Sequence, residues 1–274
     1  MDQQSLVNQI RSEFSPDNYP AHSIKMLPVL DFIRKELHTI FKSALSGGGD
    51  LLEVGCGPTV YTAMAASVAF ERIVMADLVP ANVREVRKWL DAAPDAKDWT
   101  LFAERQAAQE GARNLKEGAD AVIARTRRAV RDVTLCNIAE PGVFLDGRQG
   151  AQFDAVVACL CLDSGSVDQA AHRCATRNLA ALLKPGGMLV ACGVTGNPYY
   201  TLCTKRFPSL VSCEDSIRDS LLRAGLTVHH WAAEKSPAFM RPYLDYGSAY
   251  VTVASKAAVD GMAVESSVIA SGAN

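Results

Sequence analysis

Hydrophobic residues follow a helical pattern before the first strand-like segment of the chain. Between residues 23 and 45 they recur at three- and four-residue spacing, which predicts an amphipathic helix that ends at the glycines 47–49. Residues 50–54 then predict a buried strand, which leads directly into a glycine-containing turn and a helix over residues 60–70. Strand, glycine turn and helix in this order form the first half of a βαβ unit.

The alternation of strands and helices continues along the chain. Further strands are predicted at residues 72–76, 133–136, 153–160, 188–192, 227–231 and 248–254. Helices are predicted between them at residues 80–90, 167–183 and 215–224. This order indicates an α/β fold with an open, doubly wound, mostly parallel sheet that helices cover on both faces. Ligands of such sheets bind beyond the carboxyl ends of the strands, so we expect the chemistry there.

Composition narrows the class of protein. The 274 residues are 49% hydrophobic and carry 28 basic against 30 acidic side chains, which argues against a binder of nucleic acid or anionic membranes. The longest apolar run, residues 155–162, is far shorter than the roughly 20 residues that cross a bilayer, and the N-terminus lacks a secretory signal. The eight cysteines include no Cys-x-x-Cys pair. We therefore expect a cytoplasmic protein with reduced thiols and no metal site.

A cofactor signature lies at the end of the first strand. Glu53, Gly55 and Gly57 form an acidic residue followed by Gly-x-Gly, and residues 58–60 lack the third glycine of a dinucleotide fingerprint. Asp77 ends the second strand, where its carboxylate can accept hydrogen bonds from two ribose hydroxyls. The set fits S-adenosylmethionine at least as well as NAD. The missing glycine favours a methyltransferase, with a nicotinamide-dependent enzyme as the alternative.

Five sequence blocks together resemble one enzyme family. They are residues 52–61, Asp77 with Asn82, residues 160–163, residues 177–187 and the pair Tyr199-Tyr200. In this order they look like the nicotinamide, phenylethanolamine and indolethylamine N-methyltransferase family, and the resemblance runs from about residue 14 to residue 256. It implies a class I methyltransferase fold, which is Rossmann-like with seven strands and an antiparallel insertion of the seventh. It also implies S-adenosyl-L-methionine as methyl donor and S-adenosyl-L-homocysteine as product.

The resemblance also implies a cofactor site. Gly55 and the adjoining loop would pass close to the methionine moiety, and Tyr61 would hydrogen-bond its carboxylate. Asp77 would hold the ribose, with Asn82 beside it near the adenine. An Asp-Val pair of the family contacts the adenine edge and is matched by Asn137-Ile138, where asparagine keeps an acceptor oxygen. The predicted cofactor-binding residues are Tyr19, Gly55, Gly57, Thr59, Tyr61, Asp77, Asn82, Asn137, Ile138 and Cys159.

An N-terminal lid is implied by the segment that begins at Phe14. Its Phe-x-Pro-x-x-Tyr pattern, ending at Tyr19, resembles a family segment whose tyrosine covers the active site. We therefore take Tyr19 as a catalytic candidate, with plain helix packing as the alternative. The family's second lid tyrosine has no counterpart, because the chain is shorter between Tyr19 and Ile24.

The acceptor side departs from the family pattern. The nicotinamide enzymes carry an Asp after strand five that matches Gly193, and the phenylethanolamine branch has an acid that matches Thr204. Asp245 is then the best available anion for a substrate amine, with a solvated turn residue as the alternative. Asp163 either supports the pocket or caps the next helix. The predicted acceptor-site residues are Leu160, Gly193, Asn197, Tyr200, Ser209 and Asp245, and the catalytic candidates are Tyr19 and Asp245.

We expect a single methyltransferase domain over residues 1–256. Residues 1–49 form the helical lid, residues 91–131 a solvated helical insertion, and residues 257–274 a flexible tail. The expected activity is methyl transfer by in-line displacement to the nitrogen of a small amine or N-heteroaromatic, catalysed by a monomer. Two alternatives stay open, namely a thioether or selenoether S-methyltransferase of the same family and a cofactor-binding protein that has lost its acceptor site.

Overall fold

The computed structural model describes residues 1–44, 48–148, 150–202, 204–240 and 245–258. The helices are α1 Gln3–Glu13, α2 Tyr19–Lys25, α3 Leu27–Ala44, α4 Tyr61–Ala66, α5 Pro80–Leu90, α6 Thr100–Gln109, α7 Leu115–Ala129, α8 Gln169–Ala181 and α9 Glu214–Arg223. The strands are β1 Asp50–Val54, β2 Arg72–Asp77, β3 Val130–Leu135, β4 Phe153–Cys159, β5 Leu183–Val194, β6 Tyr199–Leu202, β7 Lys205–Pro208, β8 Leu226–Lys235 and β9 Ser248–Lys256. The predicted tail lies outside the described residues from position 259 onward.

A seven-stranded sheet in the order β3-β2-β1-β4-β5-β9-β8 forms the centre of the fold. Strands β1 to β5 run parallel, and β9 is antiparallel to both of its neighbours. The doubly wound sheet with its antiparallel insertion is therefore confirmed. The strand order reverses between β1 and β4, which is where such sheets open a crevice for ligands.

Helices bury both faces of this sheet. In β1, Leu51 faces the core on the side of α3 and α4, whereas Leu52 faces the core on the side of α8 and α9. Both side chains are fully buried, as expected for a central parallel strand covered on both faces. Among the described residues, no helix is both long and apolar enough to cross a membrane.

The N-terminal region contains one helix break that the periodicity did not predict. The helix expected over residues 23–45 is divided into α2 and α3 at Met26, which has φ −89° and ψ 4°. Pro28 lies in the first turn of α3, where its missing N–H is tolerated, whereas one uninterrupted helix would place it in the interior. Residue 45, the predicted helix end, lies outside the described residues.

The segment 91–131 contains the helices α6 and α7, and its last two residues already belong to β3. The expectation that the segment is solvated is wrong for one face of these helices. Trp99, Phe102 and Val122 are each at most 4% exposed. The ring of Phe102 stacks on Tyr61 at 5.4 Å between centroids. Apolar residues recur three and four positions apart in this segment, but its many charged residues made the pattern hard to see in the sequence. Because one face is buried, α6 and α7 belong to the helices that cover the sheet.

A small hairpin, β6 with β7, was not predicted from the sequence. It lies after β5 and contacts the N-terminal helices through the rings of Phe207 and Phe14, whose centroids are 6.0 Å apart. The side chain of Gln9 in α1 also donates a 3.3 Å hydrogen bond to the carbonyl of Arg206. The hairpin and the N-terminal helices therefore form one cover over the carboxyl edge of the sheet.

Candidate active site

A cavity opens at the carboxyl ends of the parallel strands, next to the point where the strand order reverses. The N-terminal helices and the segment around the hairpin cover it. Fifteen of the sequence-predicted residues line this one space. They are Tyr19, Gly55, Gly57, Thr59, Tyr61, Asp77, Asn82, Asn137, Ile138, Cys159, Leu160, Gly193, Asn197, Tyr200 and Ser209.

The turn after β1 requires glycine at two positions. Gly55 and Gly57 have φ values of +65° and +59°, in the left-handed region that side chains disfavour. A Cβ on Gly55 would overlap Cys161 Cβ and lie 2.9 Å from Cys161 Sγ. The turn therefore packs directly against the segment after β4, and backbone instead of side chains faces the cavity.

Asp77 is held rigidly at the end of β2. Its Oδ2 accepts a 2.8 Å hydrogen bond from the Gly57 N–H. Its Oδ1 accepts from the Val79 N–H at 2.8 Å and from Asn82 Nδ2 at 2.9 Å. Burial raises the pKa of Asp77, and the N–H donors oppose that effect. Asn82 Oδ1 is left buried without a hydrogen-bond partner among the described residues.

Glu53 is an ionisable group in the wall of the cavity. Its side chain is 1% exposed, and no described residue hydrogen-bonds its Oε2. Burial raises the pKa of Glu53 well above its usual range. The carboxyl group is therefore poised to gain a partner when a ligand carrying donors enters the cavity.

The raised pKa of Glu53 predicts that the free energy of unfolding depends on pH. Because its pKa is raised in the folded state, the free protein loses stability as pH rises above the unfolded value of about 4.3. Glu53→Gln removes this loss. We expect its stability advantage over wild type to grow by at least about 1 kcal/mol between about pH 5 and about pH 8, measured by urea denaturation. The exposed Glu234→Gln is the control, and an advantage that does not change with pH contradicts the assignment.

The wall beyond β3 is formed by Asn137 and Ile138. Asn137 Oδ1 accepts from the Ala139 N–H at 3.1 Å, and its Nδ2 donates to Glu140 Oε1 at 2.8 Å. These bonds fix the asparagine side chain, while its oxygen keeps a second lone pair for a ligand.

Tyr19 lies between the lid and the glycine turn. Its ring is 5.8 Å from Phe14 and 5.6 Å from the ring of His22, measured between centroids. A Cβ on Gly57 would lie 3.7 Å from the Tyr19 hydroxyl. Burial raises the pKa of Tyr19, so its hydroxyl stays protonated at neutral pH. The ring therefore packs in the lid and the hydroxyl faces the turn, while the catalytic role of Tyr19 stays a prediction.

The acceptor side of the cavity begins at Leu160. This residue has φ +56°, an uncommon value outside glycine, and it turns the chain away from β4. Tyr200 in β6 stacks on Phe207 at 5.1 Å and an interplanar angle of 15°. Asn197 Oδ1 accepts from the Tyr199 N–H at 3.4 Å. Together these residues present aromatic surface and a few polar groups to the cavity.

Asp163 occupies the space beside Gly193. Its Oδ2 accepts a 3.0 Å hydrogen bond from the Tyr250 hydroxyl, and a Cβ on Gly193 would lie 2.7 Å from this oxygen. Asp163 is 6% exposed, and burial raises its pKa to about 6. The N-cap of α8 is Asp168, which accepts from the Ala171 N–H at 2.8 Å. Of the two sequence alternatives for Asp163, support of the pocket is the one observed.

Asp245 is the sequence-predicted site residue that the structure does not bring to the cavity. It is exposed on the loop before β9 and is absent from the cavity lining. An exposed carboxylate is fully hydrated, so this geometry gives it no contact with a bound amine.

Several residues that line the cavity were not predicted from the sequence. Val7 and Ile10 come from α1, where their three-residue spacing was the available signal, and His22 and Met26 come from the lid region. Cys161 carried no comparable signal, because its contact with Gly55 joins positions that are 106 residues apart.

Solved structures share the fold of this chain. A methyltransferase from Methanosarcina mazei, described as dependent on S-adenosylmethionine, aligns with a TM-score of 0.56 and 13% identity over 80% of this chain and 98% of its own. Magnesium protoporphyrin IX methyltransferase from Synechocystis, with bound S-adenosylhomocysteine, aligns with a TM-score of 0.55 and 11% identity. The alignment covers 93% of this chain and 100% of that protein. The fold is that of S-adenosylmethionine-dependent methyltransferases.

Sequence comparison identifies the family. The profile of the NNMT/PNMT/TEMT family matches residues 5–254. Nicotinamide N-methyltransferase of Sus scrofa is 32% identical over 202 residues, 73% of this chain and 75% of its own length. Indolethylamine N-methyltransferase of Mus musculus is 30% identical over 223 residues, which are 79% of this chain and 83% of its own length. Phenylethanolamine N-methyltransferase of Sus scrofa is 28% identical over 206 residues, which are 75% of this chain and 72% of its own length. The chain belongs to this family of S-adenosylmethionine-dependent methyltransferases, which confirms the resemblance and the predicted cofactor.

The residues of the cavity fit this cofactor. Two buried oxygens, Glu53 Oε2 and Asn82 Oδ1, lack partners within the described part of the chain, and the cofactor carries an ammonium group and ribose hydroxyls that can donate to such oxygens. Asp77 would hold the ribose, and the turn at Gly55 and Gly57 leaves room for a ligand close to the backbone.

Proposed function

We propose that the chain transfers a methyl group from S-adenosylmethionine to the nitrogen of a small amine or N-heteroaromatic. The observation that carries the proposal is the continuity of one cavity from the Asp77 carboxylate to the aromatic wall at Tyr200. Leu160 and Cys159, at the end of β4, lie between the two regions. That the residues predicted for the cofactor and most of those predicted for the acceptor line one cavity supports the proposal.

The chain's own contribution is orientation and exclusion of water. When bound, S-adenosylmethionine supplies a methyl group activated by its sulfonium charge. Tyr200, stacked on Phe207, offers a flat apolar surface against which a small aromatic acceptor can lie. Phe14 and Tyr19 cover the cavity from the lid and keep water away from the reacting atoms.

The polar groups of the acceptor wall favour nitrogen over sulfur or selenium. A thioether is a neutral, weak hydrogen-bond acceptor and needs no buried anion in its site. The cavity nevertheless contains Asp163, a buried carboxyl group, together with Asn197 and Ser209. These groups suit an acceptor that has N–H donors. Methyl transfer to a thioether or selenoether is the second candidate function, because the family also includes enzymes that act on such acceptors.

An acceptor panel tests the proposal. Nicotinamide, indolethylamine, phenylethanolamine, dimethyl sulfide and dimethyl selenide are each incubated with the protein and S-adenosylmethionine. Formation of S-adenosylhomocysteine and the mass of the product are then measured. We expect turnover with at least one nitrogen compound. Turnover confined to the sulfide or selenide would assign the second function. A protein that binds S-adenosylhomocysteine in calorimetry but turns over no acceptor would be a binding protein only.

A further inference from the structure

The first helix of the lid lies over the cavity with little core beneath it. In α1, Leu6 and Val7 are buried, and Val7 and Ile10 line the cavity. Within the described part of the chain, none of these three side chains belongs to either of the apolar clusters that cover the faces of the sheet. A helix of 11 residues is only marginally stable by itself in water, so contacts from outside the helix must keep α1 in place.

Gln3 connects the start of α1 to a distant segment of the chain. Its Nε2 donates a 2.7 Å hydrogen bond to the Gly165 carbonyl, and its Oε1 accepts a 3.1 Å hydrogen bond from the Val167 N–H. The side-chain amide thus pairs both of its groups with backbone, as a peptide group of a neighbouring strand would. Both partners lie between β4 and α8, at 162 and 164 positions from Gln3 along the chain.

The segment that Gln3 holds forms part of the wall of the cavity. Gly165 lines the cavity, and a Cβ added to it would lie 3.2 Å from Ile138 Cδ1. The Gly165 N–H donates a 2.8 Å hydrogen bond to the Cys161 carbonyl, and the neighbouring Ser166 is fully buried. Because Ile138 is predicted to contact the adenine edge, Gln3 joins α1 to the wall on the cofactor side of the cavity.

The other end of α1 is connected more weakly, to the hairpin of β6 and β7. Gln9 Nε2 donates a 3.3 Å hydrogen bond to the Arg206 carbonyl. Glu13 and Lys205 form an ion pair at 3.6 Å, but the Lys205 side chain is 57% exposed, so solvent screens this pair. Gln3 makes two hydrogen bonds, and the one at 2.7 Å is shorter than that of Gln9. The start of α1 is therefore held more firmly than its end.

We propose that Gln3 is a positioning residue that holds α1 over the cavity and thereby slows the release of bound ligands. The inference rests on the proposed function, which places both the cofactor and the acceptor beneath α1. Gln3 is not among the described residues that line the cavity, so it acts through Val7 and Ile10. When the hydrogen bonds of Gln3 break, α1 moves away and these two side chains no longer close the cavity. The fraction of molecules with α1 in place then sets the apparent affinity for a ligand.

The first test compares two neighbouring glutamines of α1. In Gln3→Ala, S-adenosylhomocysteine should dissociate about tenfold faster than from wild type, because two neutral hydrogen bonds are lost. Surface plasmon resonance on the purified protein measures the rate. Gln4→Ala is the matched control, since Gln4 is exposed and its Nε2 bonds only Asn8 of the same helix among the described residues. Its rate should stay within about twofold of wild type. An unchanged rate in Gln3→Ala, or an equal increase in both variants, would overturn the proposal.

Two further measurements separate local opening of α1 from a general loss of structure. Hydrogen exchange followed by mass spectrometry should be about tenfold faster in α1 of Gln3→Ala and unchanged in α9. For an acceptor that the panel identifies, KM should rise about tenfold while kcat stays within about threefold, because a saturating ligand restores the closed position of α1. Faster exchange in α9, or a fall in kcat as large as the fall in kcat/KM, would show a structural defect and overturn the assignment.

Gln3→Glu tests the hydrogen bond to the Gly165 carbonyl by itself. The variant keeps the size of the side chain and an acceptor for the Val167 N–H, but it places a carboxylate oxygen where an N–H now donates to Gly165. S-adenosylhomocysteine should therefore dissociate at least about fivefold faster than from wild type. A rate equal to that of wild type would overturn the proposal. Absence of turnover with the whole acceptor panel would instead overturn the proposed function alone, because these dissociation rates do not depend on an acceptor.

Discussion

Replacing Asp77 by asparagine should weaken S-adenosylhomocysteine binding by about 1.5 to 3 kcal/mol, more than tenfold in affinity. The side chain keeps its volume but loses its charge, so hydrogen bonds from ribose hydroxyls are no longer charge-assisted. The amide also presents donors toward N–H groups that now donate to the carboxylate, namely those of Gly57 and Val79. Isothermal titration calorimetry on the purified variant measures the loss directly.

Asp146→Asn is the control for the Asp77 variant. Asp146 also carries a carboxylate near a strand end, but it bonds Arg148 at the surface and does not line the cavity. Its substitution should leave the affinity for S-adenosylhomocysteine within about twofold of wild type. If Asp77→Asn binds as tightly as wild type, Asp77 is not the ribose ligand.

Gly55→Ala should lower the free energy of unfolding by about 2 to 5 kcal/mol. The methyl group forces a side chain into a left-handed conformation and overlaps Cys161 Cβ, so strain and overpacking add. Gly142→Ala is the matched control, since Gly142 has φ +81° with open space around its added Cβ, and it should cost only about 1 kcal/mol. Chemical denaturation of the three proteins separates the two contributions.

The double variant Gly55→Ala with Cys161→Gly isolates the overlap. Removing the side chain of Cys161 eliminates the clash and leaves the backbone strain at position 55. We expect the double variant to be more stable than Gly55→Ala alone, which is a coupling between contacting residues. If Cys161→Gly only adds its own destabilisation, the close contact between the two segments is incorrect.

Periodicity and motifs predicted most of the fold, because alternating strands and helices leave few right-handed connections open. The placement of Asp77 at the carboxyl edge of the sheet follows from that alternation. The burial of Trp99 and Phe102 did not, since the charged residues of the segment 91–131 suggested a solvated helix. Periodicity also did not predict the helix break at Met26, although Pro28 was visible in the sequence.

The acceptor wall was harder to predict than the cofactor site. Cofactor residues lie within short motifs, whereas Asp163 and Tyr250 are joined by a hydrogen bond across 87 positions. A sequence does not show which carboxyl group at the carboxyl edge faces inward when neither belongs to a helix or strand. With the family's acids missing at Gly193 and Thr204, the sequence pattern predicts Asp245 as the anion, whereas the structure places Asp163 in the wall.

The space above Gly193 restricts how this enzyme can be redesigned. Any side chain introduced there meets the carboxyl group of Asp163 and the ring of Tyr250, so a second acid cannot be added while both remain in place. If position 193 were substituted first, the resulting variant would be overpacked and therefore destabilised. Directed evolution toward other substrates should therefore begin by shortening Tyr250, and only then explore position 193.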